Sequence, residues 1–336
     1  MTNIKKALTS TNMILVYVIL LFSLAVTLRQ PAFLSPATAI NLCRSGIFTL
    51  CFALCEMLVM IAGGIDISFP AIGCVAMYVP MYLYDKGMLP ESGLAFLAVA
   101  LFCGLLFGLL NGLLISYLHI PSLIATLATS SIASGGLAFV FGVRDYTVMP
   151  DALYRIYELN LFTYCDPATG MNYPLTGLIL VPLALALIMA WMLRFTMVGR
   201  GLYAMGGNLE AARTVGFNVR GLQFFTYIFS GVITAVTAVM YVILMHSATT
   251  TALMGSEMLV IAACVVGGCS LSGGRGSVLG VVLGTLLITL VQNHLNMLGI
   301  DTPWQTFAVG IVLLFGVLMT SLHDKIQRRI EQRRAR

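Results

Sequence analysis

The sequence predicts an all-α polytopic membrane protein with about ten transmembrane helices and both termini on the cytoplasmic side. Of its 336 residues, 59% are hydrophobic. Only 9% are Asp, Glu, Lys or Arg, whereas a soluble domain carries about 25% charged residues. So few charges cannot cover a soluble core of this size, which excludes a soluble enzyme, a nucleic-acid-binding protein and a disordered chain. The long uncharged stretches and the positions of Lys and Arg define the rest of the fold prediction.

Uncharged stretches define the predicted spans, because a spanning helix needs about 20 predominantly apolar residues. There are 36 uncharged residues between Arg220 and Glu257. The 52 residues between Glu91 and Arg144 hold two helices that turn at Pro121. The predicted spans are 11–28, 45–62, 69–84, 93–118, 122–142, 174–193, 222–245, 257–269, 277–297 and 304–322. The eighth is short and ends in glycine, which makes it a candidate re-entrant segment covered by protein.

Positive charges predict the orientation, since Lys and Arg concentrate in cytoplasmic loops. With the N-terminus inside, five of the 18 Lys and Arg fall on the outer side and the other 13 on the inner side. The outer five are Arg29, Arg44, Lys86, Arg144 and Arg155. The chain then divides into a cytoplasmic N-terminus (1–10), a transmembrane domain (11–322) and a basic cytoplasmic tail (323–336). Its two long loops are an outer loop over 143–173 and an inner loop over 194–221.

Glu56 is a carboxyl near the middle of the second predicted span. Because a charged side chain in hydrocarbon is costly, it must face protein or a water-filled path, or carry a proton. Two interpretations stay open. Glu56 either lines a permeation path, where it would accept hydrogen bonds from a polar solute, or it bonds a neighbouring helix for packing. We favour the path, because an amide such as that of Asn111 would pack a helix at lower cost.

A helix break is predicted between the second and third spans, at Gly63, Gly64, Asp66 and Ser68. Asp or Ser at such a position caps the following helix by accepting from its free backbone N–H groups. The break is also a candidate unwound point at membrane depth. Asn111 is an intramembrane amide, and such amides most often bond across to another helix; contact with solute is the alternative.

The inner loop contains a predicted short helix at the cytoplasmic face. Asn208 suits its N-cap, Glu210 and two alanines suit its interior, and Gly216 suits the residue after its end. Cap, helix formers and stop in this order are typical of a docking element for a soluble partner. The candidate docking residues are Gly207, Asn208, Glu210, Ala211, Ala212, Arg213 and Gly216.

The sequence gives no reason to expect a cofactor or metal on this chain. It contains no GxxxxGK[ST] nucleotide loop, and its four histidines lack the spacing of metal ligands. The glycine- and serine-rich run 267–277 has no Lys, which favours a tight turn between helices over a phosphate-binding loop.

Several of these motifs occur together in one known family. Gly63-Gly64-Ile65-Asp66-Ile67-Ser68 resembles the GGIDLS signature of the ribose-type ABC importer permeases, which include autoinducer-2 and other monosaccharide permeases. The further matching segments are 266–277 (the family's second signature), 206–216 (its cytoplasmic coupling loop), 110–112 and 121–127. The resemblance covers about residues 40–320 in the right order. One departure is Phe69-Pro70, where the family usually has Val-Gly.

The resemblance implies one membrane subunit of an ATP-driven importer in the bacterial inner membrane, with no catalytic activity of its own. Its partners would be ABC ATPase subunits that bind ATP and Mg²⁺, a second permease subunit (identical or different), a periplasmic solute-binding protein and membrane lipid, but not nucleic acid. The solute would be a monosaccharide or a similar small polar molecule. Glu56, Asn111 and Thr126 are the hypothesised path residues, and the outer loop is the expected platform for the binding protein.

Two alternatives remain. An ion-coupled secondary transporter could use Glu56 or Asp66 as a proton or sodium site. A branched-chain amino-acid ABC permease has related architecture. The docking-helix pattern favours the ABC importer over the first, and the Gly-Gly-Ile-Asp element favours the sugar-type permease over the second.

Overall fold

The computed structural model describes residues 11–167 and 170–298 and five single positions between 304 and 314, and this part of the chain is mostly helical. Its helices are α1 (Thr11–Arg29), α2 (Pro36–Ile61), α3 (Phe69–Asp85), α4 (Gly93–Ser116), α5 (Ser122–Phe141), α6 (Asp151–Tyr157), α7 (Leu180–Phe195), α8 (Met197–Gly207), α9 (Leu209–Thr214), α10 (Val219–Met245), α11 (Glu257–Val266) and α12 (Val278–His294). Strands β1 (Asn160–Cys165) and β2 (Asn172–Thr176) form an antiparallel hairpin. Short 3₁₀ turns occupy Pro31–Leu34, Gly177–Ile179 and Leu295–Leu298.

The chain is a multi-pass membrane protein by the length and composition of its helices. Six described helices are long and apolar enough to cross a membrane: α1, α2, α4, α5, α7 with its preceding 3₁₀ turn, and α10. Each of the first nine predicted spans contains a helix, and the tenth, 304–322, lies outside the described residues except for single positions. The count of ten spans and the cytoplasmic placement of both termini stay predictions.

Two expectations about local structure were wrong. α2 begins at Pro36 and not at residue 45, because Ser35 caps it by accepting from the Thr38 N–H at 3.2 Å and proline suits the first turn. The sixth span does not begin at 174, since residues 172–176 are strand β2. The 143–173 loop holds α6 and most of a β-hairpin, whose first strand contains the strand-favouring run Phe162-Thr163-Tyr164. The described part of the chain is otherwise mostly helical, in agreement with the predicted all-α class.

α4 and α10 pack closely because glycines line their contact. A Cβ at Gly104 would meet the carbonyl oxygen of Gly231, and one at Gly108 would lie 2.8 Å from the Tyr227 carbonyl oxygen. Small residues let backbones approach in this way, and in membranes such packing drives helix association. Gly104 and Gly108 are four residues apart in the sequence, a spacing that suits such close packing of two helices.

α11 and α12 form a second glycine-lined pair. The Cβ positions of Gly280 and Gly284 meet the carbonyl oxygens of Gly267 and Ala263. α11 has ten residues, which at 1.5 Å per residue cover about 15 Å, half the thickness of a bilayer core. This length agrees with a re-entrant segment.

The molecule has two ends, which α2, α7 and α10 connect. The hairpin end comprises α6, the β-hairpin and residues 246–256. There Tyr146 and Ala248 exchange two backbone hydrogen bonds of 3.0 and 2.9 Å. The α9 end comprises α8, α9 and the turn 267–277. α2 lies between these ends and is completely buried over residues 51–61.

Candidate functional site

The helix break predicted from the glycines is present between α2 and α3. α2 ends because Gly63 adopts a φ of +87°, which favours glycine. The Gly63 N–H donates to the Met60 carbonyl at 2.9 Å and the Gly64 N–H to the Val59 carbonyl at 3.0 Å, a Schellman-type helix end. Residues 62–68 then run without helix until α3 begins at Phe69.

Glu56 accepts a hydrogen bond from the backbone of this break. The backbone N–H of Asp66 donates to both Glu56 carboxyl oxygens, at 3.3 Å each. The Glu56 side chain reaches this N–H from the last third of α2, and the residue is 1% exposed. In this arrangement Glu56 satisfies a buried backbone donor that the interrupted helix leaves without a helical partner.

The Asp66 side chain organises the start of α3. Its Oδ1 accepts from the Ser68 N–H at 2.8 Å and from the Ser68 hydroxyl, while Oδ2 accepts from the Ser230 hydroxyl of α10 at 3.2 Å. Asp66 therefore bonds the residue that precedes α3 and no N–H of the helix itself, and the N-cap Ser68 makes no side-chain capping bond. Asp66 also ties the break to α10.

Asn111 and Thr129 complete the network. The Asn111 amide donates to the Ser68 hydroxyl oxygen at 2.8 Å and accepts from the Thr129 hydroxyl at 2.7 Å. Thr126 accepts from the Ile67 N–H at 3.4 Å. We call these seven residues the break network: Glu56, Asp66, Ser68, Asn111, Thr126, Thr129 and Ser230. All are buried, with exposed fractions of 3% or less.

Sequence reasoning selected five of the seven members and missed Thr129 and Ser230. Ser122 was missed as well, and its hydroxyl accepts from the Ile65 N–H at 3.1 Å. A signal existed for α5: Ser122, Thr126 and Thr129 recur at helical spacing, which places three hydroxyls on one face of this helix. Ser230 gave no comparable signal. That Glu56, Asn111 and Thr126 line a path stays a prediction, because in this structure each of them faces protein.

α9 is the short helix predicted in the 194–221 loop. The Asn208 side chain accepts from the Ala211 N–H at 3.0 Å. At the other end Gly216 has a φ of +94°, and its N–H donates to the Arg213 carbonyl at 2.9 Å. Glu210 and Arg213 form an exposed ion pair of 2.9 Å. The predicted cap and stop are therefore confirmed, whereas α8, which precedes α9, was not anticipated.

A glycine junction joins the α9 end to the helix break. Gly206, in the last turn of α8, packs against the Ile61 carbonyl so closely that a Cβ would overlap it. The Gly274 N–H donates to the same carbonyl at 2.9 Å. A Cβ on Gly273 would lie 2.7 Å from the Gly63 Cα. Three backbone segments thus meet without side chains between them.

A cavity of about 220 Å³ lies beside this junction. Gly63 and Gly64 of the break, Leu209 and Arg213 of α9, and Tyr227 of α10 contribute to its lining. Among the residues that the structure describes, no group of three or more His, Cys, Asp or Glu could hold a metal ion. The site is therefore best described as a buried polar break in mechanical contact with an exposed short helix.

Comparison with known proteins agrees with this geometry. Residues 38–317 match the family described as "Branched-chain amino acid transport system / permease component". The chain is 31% identical over 310 residues to the probable ABC transporter permease protein y4mJ of Sinorhizobium fredii, covering 92% of this chain and 89% of that protein. It is 31% identical over 299 residues to the autoinducer 2 import system permease protein LsrC of Yersinia pestis, covering 85% and 81% of the two chains. The chain therefore belongs to the permease-component family of ABC transporters, whose members are transport subunits.

Proposed function

We propose that this chain forms the translocation path of an ATP-driven importer for a small polar solute of the monosaccharide or autoinducer-2 type. The observation that carries the proposal is the backbone contact between the α8–α9 segment and the helix break. An importer driven by a separate ATPase needs an exposed element that receives motion and a buried element that responds to it. α9 and the break network supply these two elements.

The proposed orientation places α9 in the cytoplasm and the hairpin end outside, in the bacterial inner membrane. The Lys and Arg distribution supports it. ABC ATPase subunits would bind ATP and Mg²⁺ and dock on α9. A periplasmic binding protein would deliver solute at the hairpin end, and a second permease subunit would complete the path.

The mechanism follows from what joins the two elements. When the ATPase subunits close, they would displace α9 together with the last turn of α8. Because Gly206 and Gly274 both contact the Ile61 carbonyl, that displacement would act directly on the end of α2. The break network would then exchange its hydrogen bonds with solute or water, since each of its side chains can accept or donate.

Reconstituted transport tests the proposal. The chain is assembled with its ATPase, binding protein and second permease subunit in liposomes, and uptake of D-ribose, autoinducer-2 and L-leucine is measured. We expect uptake of one of the first two that requires ATP and survives an uncoupler. Uptake that an uncoupler abolishes, with no need of the ATPase, would instead indicate the secondary transporter.

The family description itself favours a second candidate solute, a branched-chain amino acid. The autoinducer-2 permeases among the relatives argue against a branched-chain amino acid as the solute. ATP-dependent uptake of L-leucine without uptake of D-ribose or autoinducer-2 would replace the proposed solute and retain the importer.

A further inference from the structure

One face of α2 carries a row of polar side chains near the hairpin end. Its members are Thr38, Asn41, Ser45 and Thr49, which recur at spacings of three and four residues. We call this row the polar face of α2. Asn41 and Ser45 are exposed, and the other two are partly exposed. Exposed residues on the other spanning helices are mostly large and apolar, such as Phe102 at 65%. A polar face turned to hydrocarbon would be costly, so this face meets water or protein.

The polar face leads into a cavity of about 290 Å³. Phe48, Thr49 and Phe52 of α2 form one wall, and residues 252–256 with Leu259 and Val260 of α11 form the other. All of the described residues that line it are uncharged. Ser256 donates its hydroxyl hydrogen to the Leu253 carbonyl at 2.7 Å, which leaves its oxygen able to accept from a ligand.

Phe52 closes the cavity on the side of Glu56. It is 2% exposed, and its ring centroid lies 4.9 Å from that of Phe69 on α3. Glu56 follows Phe52 by four residues, so both lie on one face of α2. Gly73 of α3 leaves room for this packing, since a Cβ there would lie 2.6 Å from Leu253 Cδ1. Phe69 is also the position at which the chain departs from the resembling family.

We propose that the polar face of α2 and residues 252–256 bind a neutral polyhydroxylated solute of monosaccharide size, with Phe52 and Phe69 as the closed floor between that solute and Glu56. The inference rests on the proposed function. It adds where the solute first binds, which chemical class the site selects, and what closes the path in this structure.

The lining selects this class by its hydrogen bonding. The polar side chains of the lining are the hydroxyls of Thr49 and Ser256. Together with the Asn41 amide of the polar face they offer donors and acceptors, as the hydroxyls of a sugar require. The aromatic floor suits the C–H face of a sugar ring. A zwitterionic amino acid would leave its ammonium and carboxylate without charged partners in the cavity, which disfavours its binding. A volume near 300 Å³ is at the small end of ligand sites, in agreement with a single sugar ring.

Cysteine accessibility tests the position of the site. Thr49→Cys and Ser45→Cys are made separately in a Cys43→Ser/Cys165→Ser background, which removes the two exposed thiols. The whole transporter in right-side-out vesicles is treated with a membrane-impermeant sulfonated thiol reagent. We expect both cysteines to react at least about 10-fold faster than Phe102→Cys, because a charged reagent does not enter hydrocarbon.

The inference fails if the two cysteines react no faster than Phe102→Cys. It also fails if an oxidant joins Ser45→Cys of two copies in high yield, since the face would then be a subunit interface. Labelling needs no ATP. Fast labelling without ATP-driven uptake would therefore contradict the proposed function alone, and normal uptake with unreactive cysteines would contradict this inference alone.

Leak measurements test the floor and the solute class. Proteoliposomes that contain the transporter without ATP are loaded with D-ribose or L-leucine. We expect Phe52→Ala to raise D-ribose leak about 10-fold, because it opens an apolar constriction, and to leave L-leucine leak low. Phe69→Val should raise the D-ribose leak less than Phe52→Ala does. The D-ribose leak of Phe52→Leu should stay near that of the unsubstituted protein.

Phe96→Ala is the matched control, because Phe96 is a fully buried phenylalanine of α4 outside the cavity lining. Equal leak from Phe52→Ala and Phe96→Ala would remove Phe52 as the floor. Equal leak of D-ribose and L-leucine would overturn the neutral class. If Phe52→Ala does not assemble, the D-ribose leak of Phe69→Val is compared with that of Phe96→Ala. Equal leak from these two variants would then contradict the proposed floor.

Discussion

At the scale of single residues, Glu56 combines a structural contact with a functional hypothesis. Its carboxyl is the acceptor for the buried Asp66 N–H, and this contact accounts for a hydrogen-bond acceptor at this position of a spanning helix. The same side chain lies one helical turn beyond Phe52, the proposed floor of the solute site, so the path hypothesis survives as a proposal. The two roles differ in what substitution should do.

Glu56→Ala should lower the stability of the detergent-solubilised transporter by about 1–3 kcal/mol, because it leaves the buried Asp66 N–H unpaired. Glu56→Gln should retain most of the stability, since its amide oxygen still accepts from that N–H. Thermal unfolding of the purified transporter measures both. Cys55→Ala is the control, a neighbouring buried residue outside the break network. If Glu56→Ala unfolds at the same temperature as the unsubstituted transporter, the contact with the Asp66 N–H does not contribute to stability. Reduced uptake by well-assembled Glu56→Gln would indicate the path role.

At the scale of elements, the glycine junction distinguishes two adjacent glycines. Gly206→Ala should impair assembly and ATP-driven uptake, because its Cβ would overlap the Ile61 carbonyl and lie 2.5 Å from the Gly274 nitrogen. Backbone on both sides cannot move aside. Gly207→Ala is the matched control, since its Cβ would meet nothing within 4 Å. Yield of folded transporter and uptake are measured together. Equal behaviour of the two variants would contradict the assignment of the junction.

The ends of α9 support a second prediction at this scale. Gly216→Pro removes the N–H that donates to the Arg213 carbonyl and demands a negative φ where the chain has +94°. Combined with Glu210→Arg, it should leave the chain in the membrane but weaken binding of the ATPase. Co-purification with the ATPase and uptake are the measurements. Glu210→Gln alone is the control, because an exposed ion pair contributes at most about 1 kcal/mol. Normal co-purification and uptake by the double variant would remove α9 as the coupling element.

At the scale of the whole molecule, the hairpin end presents charges to the proposed binding protein. Arg144 already pairs with Asp85 at 3.1 Å and lies over the Tyr146 ring, so a change there would alter internal contacts. Arg155 of α6 is exposed and makes the cleaner test. Arg155→Glu should slow initial uptake at low ionic strength, and the difference should shrink at about 1 M salt, where the Debye length is about 3 Å. An uptake rate independent of this substitution at both salt concentrations would exclude α6 from the docking surface.

The local features of this protein follow from its sequence. Helices occur in each of the nine predicted spans that the structure describes, because a long apolar stretch can satisfy its backbone in a membrane only as a helix or a closed barrel. The cap of α9 at Asn208 and its end at Gly216 could also be predicted from the sequence, because both depend on hydrogen bonds within a few residues. The break at Gly63 could be predicted for the same reason, because it too depends on local hydrogen bonds.

Only the tertiary structure decided which of these local features meet. Asp66 reaches Ser230, which lies 164 residues further along the chain, and no pattern near either residue indicates the other. Phe52 meets Phe69 because the break returns α3 against α2, and Gly206 meets Ile61 because neither α8 nor the turn 267–277 carries a side chain at that point. Hydropathy determines that a helix is buried in a membrane, but lipid and protein neighbours are equally apolar. The faces that pack are therefore selected by shape and by the pairing of a few polar groups, and both of these depend on distant parts of the chain.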